Sequence, residues 1–125
     1  MDASVREWWS VEDDPDDAMF LQMAARRAAV GPLRVFPTAN EARDSLADPD
    51  APRPAAILLD LNLPGMSGYE LATRLRAMPG LTTIRLVAVT GHGSDAHRAK
   101  ARAAGFDEHL LKPVDADALA DIVKG

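Results

Sequence analysis

Along this chain, short continuous apolar runs alternate with longer stretches whose apolar residues recur at helical spacing. The clearest run is Ala55-Ala56-Ile57-Leu58-Leu59, which stops at Asp60. A run apolar on every position suits a central parallel strand buried on both faces. Leu86-Val87-Ala88-Val89 repeats the pattern and stops at Thr90; His109-Leu110-Leu111 does so and stops at Lys112-Pro113. Leu33 to Phe36 is a shorter run closed by Pro37, which assigns it to a sheet edge. Glu7 to Val11 is rich in β-formers and carries adjacent tryptophans, Trp8 and Trp9, which a strand points to opposite faces.

The helical stretches lie between these runs and carry their own start signals. Pro15 suits the first helical position behind an Asp14 cap, and this helix is expected to reach about Val30 with Phe20, Met23 and Arg27 at helical spacing. Thr38-Ala39-Asn40-Glu41 is a capping box. A third helix puts Leu71, Leu75 and Met78 on one face. The fourth spans about Asp95 to Ala104 and is closed by Gly105, with Ala96, Ala99 and Ala103 as its inward candidates. The fifth spans about Asp115 to Val123 and turns Leu119, Ile122 and Val123 inward. Strict alternation of strand and helix predicts an α/β fold: a doubly wound, five-stranded parallel sheet in the order 2-1-3-4-5 with five flanking helices, flavodoxin-like.

Composition narrows the classes. A chain of 125 residues, 47% of them hydrophobic, fits one domain over 1–125 with a substantial core and no output domain. The net charge of −5 argues against nucleic acid or an anionic membrane as the main partner. The absence of cysteine excludes disulfides, thiolate metal sites and a cysteine nucleophile. The acidic opening lacks an export signal and no apolar run reaches membrane-spanning length, so a cytoplasmic location is the expectation.

In open parallel sheets the chemistry collects just beyond the C-terminal strand ends. Those ends supply Glu12 and Asp13, Asp60, Thr90 and Lys112. Three carboxylates crowded together repel. Lys112 offsets one charge, and a divalent cation would offset two more. The donors are hard oxygens, which suits Mg²⁺. Such a site fits phosphoryl transfer with a carboxylate nucleophile, Thr90 donating to a phosphoryl oxygen and Lys112 stabilising its charge. Acid runs are ordinarily solvated helix starts, and Asp14, Asp16 and Asp17 keep that capping assignment.

The segments VEDDPDD, LLDLNLPGMSGYEL, VAVTG and LLKPV together resemble a CheY-like response regulator receiver domain over almost the whole chain. The resemblance implies that Asp60 is the phosphoacceptor. Asp13 and Asp60 would bind Mg²⁺ directly, Glu12 through water, and Asn62 by its backbone carbonyl. Lys112 would pair with the acidic cluster and then with the phosphoryl group, often across a cis Lys112-Pro113 bond. Thr90 and the position of His109 would form the switch; the family usually carries Tyr or Phe there. The implied partners are a histidine kinase or histidine phosphotransfer protein and a downstream protein at the helix 4–strand 5–helix 5 face, with a weak homodimer left open. On this reading the chain is a signalling switch, not a turnover enzyme. The alternatives are an interaction module of the same fold without phosphorylation, a flavin binder, or a haloacid-dehalogenase-like phosphatase. The phosphatase class carries a second Asp two residues after its nucleophile, where this chain has Asn62.

Overall fold

The computed structural model describes residues 7–30, 33–48, 50, 53–63, 65–78, 80–91 and 93–124, with the backbone alone at 123 and 124. The strands are β1 (Trp8–Val11), β2 (Leu33–Phe36), β3 (Ala56–Asp60), β4 (Arg85–Thr90) and β5 (Glu108–Leu111). The helices are α1 (Pro15–Arg27), α2 (Ala39–Leu46), α3 (Gly68–Arg76), α4 (Asp95–Ala104) and α5 (Ala116–Lys124). The five strands form one sheet in the order β2-β1-β3-β4-β5, every neighbouring pair parallel. The expected architecture is therefore the observed one, with the proline-bounded strand β2 at an edge.

Each face of the sheet has its own core because successive strand residues point oppositely. Trp9, Val11, Ile57, Leu59 and Leu86 join Leu46, Leu71, Leu75 and Phe106 on one side. Trp8, Leu58, Val87 and Val89 join Leu21, Leu119 and Ile122 on the other. Both tryptophans are thus core residues, and the Trp9 ring meets Phe36 at 4.8 Å between centroids. Leu46, Ile57, Leu58, Leu59 and Leu86 are fully buried, each burial contributing about 1.5–3 kcal/mol.

The local start signals are realised. Asp14 caps α1 by accepting from the backbone N–H of Asp16 and Asp17, with Pro15 at its start. Thr38 and Glu41 bond reciprocally at α2. Gly105 closes α4 in the left-handed conformation, φ 107°. The phase of two helices differs from expectation. Helix α1 ends at Arg27 rather than Val30 and buries Leu21, Ala24 and Ala25, leaving Met19, Phe20 and Met23 exposed. Helix α4 turns Ala101 into the core, not Ala96, Ala99 or Ala103, which are exposed. Leu119 and Ile122 of α5 are buried as expected; the Val123 side chain lies outside the described positions.

Seating of α4 is uneven. Its C-terminal end is held by Arg76, whose guanidinium donates to the carbonyl oxygens of Gly105, Leu81, Thr82 and Ile84 and to the Asp107 carboxylate. Asp107 in turn accepts from the backbone N–H of Leu86. Its N-terminal half carries exposed Asp95, Ala96, Arg98 and Ala99.

Candidate functional site

Parallel strands all end on the same rim, so Val11, Asp60, Thr90 and Leu111 deliver the residues that follow them to one place. Register makes this concrete: Asp60 lies beside Val89, and Thr90 beside Leu111. The backbone N–H of Lys112 then donates to the Thr90 carbonyl at 2.8 Å, extending the ladder one residue past β5. The Lys112–Pro113 peptide is cis.

The β3–α3 turn is held close to the sheet. The backbone N–H of Leu61 donates to the Val89 carbonyl at 3.1 Å, and that of Gly68 to the Leu61 carbonyl at 3.2 Å. A Cβ at Gly68 would lie 2.6 Å from the Asp60 carbonyl oxygen and 2.8 Å from Leu61 Cα. Only glycine lets α3 begin against the backbone of Asp60 without displacing it.

Three carboxylates meet there. Glu12, Asp13 and Asp60 each offer an oxygen within 4.8 Å of the others, Glu12 and Asp60 buried and Asp13 exposed. Asp60 Oδ1 accepts from the backbone N–H of Asn62 at 3.0 Å. Glu12 Oε2 accepts from the backbone N–H of Asp14 at 3.2 Å. The Lys112 ammonium reaches into this group, with Nζ 2.9 Å from Glu12 Oε1, 3.0 Å from Asp17 Oδ2 and 3.3 Å from Asp60 Oδ2.

Burial pushes Glu12 up to about 7 against the pull of Lys112, with Asp60 adding to the rise. Burial would by itself lower Lys112, but the Glu12 and Asp17 carboxylates beside it and the charge of Asp60 outweigh it and hold the ammonium raised. The two directions oppose each other, since a neutral Glu12 would weaken its hold on Lys112. The ammonium is the firmer of the two, because its contacts with Asp17 and Asp60 do not depend on Glu12. One charge at 4 Å contributes about 4 kcal/mol gross at an effective dielectric near 20, so several carboxylates around one ammonium exceed a partial desolvation.

The residues present fit a hard divalent cation. The donors are all oxygens, they converge, and negative charge is in excess of the single ammonium. Glu12 Oε1 is buried beside Lys112 without hydrogen-bond geometry, leaving a lone pair for a cation or its water.

Thr90 is buried and lines, with Asn62, Tyr69, His97 and Lys100, a cavity of about 320 Å³ between the rim and α4. Lys100 lies over the Tyr69 ring, 4.5 Å from its centroid. His109 is not among the carboxylates. It pairs with Ala88, two rows below Thr90, and lines a groove of about 440 Å³ between α4 and α5 with Arg98, Arg102, Ala118 and Ile122. His97 bonds locally to Ser94 at the start of α4.

One residue at the site was assigned only to helix capping: Asp17, whose carboxylate reaches Lys112 from 95 positions away. The available signal was its place one helical turn after Asp13.

Residues 9–124 match the family model described as the response regulator receiver domain. A stretch of 71 residues, 57% of the chain, is 35% identical to the phosphate regulon transcriptional regulatory protein PhoB of Rhizobium meliloti and covers 31% of that protein. The chain therefore spans well under half the length of this relative. Among solved structures, a CheY-like response regulator receiver domain from Methylobacillus flagellatus superposes with a TM-score of 0.80 at 27% identity, covering 97% of this chain and 98% of that one. The Mn(2+)-bound form of response regulator Rcp1 superposes with a TM-score of 0.75 at 25% identity, covering 96% and 90%.

Proposed function

The chain belongs to the response regulator receiver domain family, and from that premise we propose that Asp60 accepts a phosphoryl group from a phosphohistidine of a histidine kinase or histidine phosphotransfer protein. The observation that carries this is the Lys112 ammonium 3.3 Å from Asp60 Oδ2, inside a cluster that also holds Glu12 and Asp13.

In the transfer, one Asp60 carboxylate oxygen forms the O–P bond as the P–N bond of the donor breaks, and the released imidazole takes up a proton. Lys112 donates to a phosphoryl oxygen, and the Thr90 hydroxyl donates to another. Asp13, Asp60, the Asn62 backbone carbonyl and, through water, Glu12 would hold Mg²⁺, which supplies charge neutralisation at the phosphoryl oxygens when bound. That Rcp1, which shares this fold, has a Mn(2+)-bound form supports a divalent ion as ligand. Asn62, two residues after Asp60, offers no carboxyl group for the general acid step of a phosphatase, which favours a switch over a turnover enzyme.

The outcome of phosphorylation is a shift between two conformations rather than catalysis. An added phosphoryl group changes the charge of an already anionic Asp60 only from about −1 to −1.5 or −2, so geometry and hydrogen bonds carry the switch. Thr90 is drawn toward the phosphoryl group and His109 responds in its groove below, changing the α4–β5–α5 face that a downstream protein reads. The weak hold on the N-terminal half of α4 supports this route.

The test is incubation with Mg²⁺ and acetyl phosphate, followed by intact mass. A gain of one phosphate that is absent in Asp60→Asn is expected. No gain, or a gain that survives the substitution, points instead to an interaction module without phosphorylation.

A further inference from the structure

An ammonium has three N–H donors and no acceptor. Lys112 donates to Asp17 and Asp60 and stands in ion-pair range of Glu12, 2.9 Å from its Oε1. A phosphoryl oxygen on Asp60 is a further acceptor and competes with these contacts for the ammonium. The three contacts differ in what their loss leaves behind. The Glu12 side chain is 1% exposed, and stripping its partner leaves a buried carboxylate facing Asp60. Asp60 is the point of attachment itself. The Asp17 side chain is 44% exposed, so water replaces the lost partner at little cost.

We propose that Asp17 is a positioning residue: it holds the Lys112 ammonium at the mouth of the resting site, and its contact is the one exchanged for a phosphoryl oxygen. This rests on the reading of Asp60 as phosphoacceptor. The geometry behind it is specific. Asp14 fixes the backbone N–H groups of Asp16 and Asp17, and Pro15 sets the first turn of α1. The third residue of the helix is thereby aimed back over the rim, where its carboxylate meets Lys112 at 3.0 Å. Asp17 thus competes with the incoming group for Lys112 and adds a negative charge near an incoming anion. Both effects slow phosphorylation.

A carboxylate in a first helical turn is also favoured by the helix dipole, so the test must separate positioning from helix stability. The full chain with Mg²⁺ and acetyl phosphate, followed by intact mass over time, supplies the rate. Asp17→Asn is expected to take up phosphate about two- to five-fold faster, the range of an exposed ion pair. Asp17→Glu restores the wild-type rate. In a Lys112→Met background the Asp17→Asn acceleration disappears, and raising the salt concentration narrows it in the parent. A second readout needs no phosphoryl donor: the Lys112 ε-methylene resonance shifts in Asp17→Asn and not in Asp17→Glu. An Asp17→Asn rate at or below wild type, equal acceleration without Lys112, or an unmoved resonance overturns the inference. No phosphate gain by the wild-type chain overturns the phosphoacceptor reading and this inference together; gain without acceleration overturns this inference alone.

Discussion

A Cβ on Gly68 would stand 2.6 Å from the carbonyl oxygen of Asp60. The first residue of α3 therefore touches the backbone of the candidate phosphoacceptor, and the absent side chain sets how near the two elements approach. Substituting Gly68→Ala must push α3 or the Asp60–Leu61 backbone aside. We expect a loss of about 1–3 kcal/mol in urea denaturation, the usual cost of overpacking. We also expect slower phosphate uptake, because Asp60 shifts relative to Lys112. Unchanged stability with an unchanged rate would show that the turn yields freely.

The raised Glu12 makes stability depend on pH in the metal-free protein. Its folded value, about 7, lies above its ordinary 4.5. The folded state then binds the proton more tightly than the unfolded chain. The stabilisation is fully present below 4.5 and is lost as pH rises through 7. Thermal melts in EDTA are expected to fall in Tm from pH 5 to pH 8. Glu12→Gln should flatten that slope, and added Mg²⁺ should raise the pH 8 value by neutralising the cluster. A slope identical in Glu12→Gln would assign the effect elsewhere.

Crowded carboxylates also predict that Asp60→Asn stabilises the metal-free chain while abolishing phosphate gain. The amide keeps the shape and removes a charge that faces Glu12 and Asp13. About 1 kcal/mol is expected, on the scale of one partly compensated like-charge contact. The gain should vanish when Mg²⁺ is added to both proteins, since the cation relieves the same repulsion. A destabilised Asp60→Asn would contradict the excess of negative charge at the rim.

Helix α4 is expected to open from its N-terminus. Ala101 is its buried residue, and Arg76 grips the Gly105 carbonyl beyond its last turn. Hydrogen exchange should be about tenfold faster in the turn around Arg98 than around Ala104, following the difference in local anchoring. Arg76→Ala leaves several carbonyl oxygens without their donor, so it should erase that gradient and cost about 2–3 kcal/mol. Uniform exchange along α4 would remove this asymmetry as a basis for movement near Thr90.

Much of this is legible in the sequence. Asp60, Thr90 and Lys112 each terminate an apolar run, and parallel strands bring their ends to one rim whatever the details of packing. Asp14, Thr38 and Gly105 are local signals, read from residues a few positions apart, and each is realised as a cap. Helix phase was less legible. Met19, Phe20 and Met23 are more hydrophobic than Ala24 and Ala25, yet they face outward while the alanines pack inward. The face of α1 that packs on α5 and the sheet is set by how the layers assemble, not by which residues are most hydrophobic. In α4 the same rule selects Ala101 among several equivalent alanines.

By itself, then, the sequence determined the alternation of strand and helix, the capped helix starts, and the set of acidic, hydroxyl and ammonium groups at the strand ends, because these depend on short-range periodicity and on the one-way sense of a parallel sheet. Tertiary structure alone decided which face of α1 and α4 is buried, how near Gly68 lies to Asp60, and that Asp17 meets Lys112. Those relations join residues up to 95 positions apart, and their distances follow from how helices settle on a twisted sheet, which no local pattern encodes.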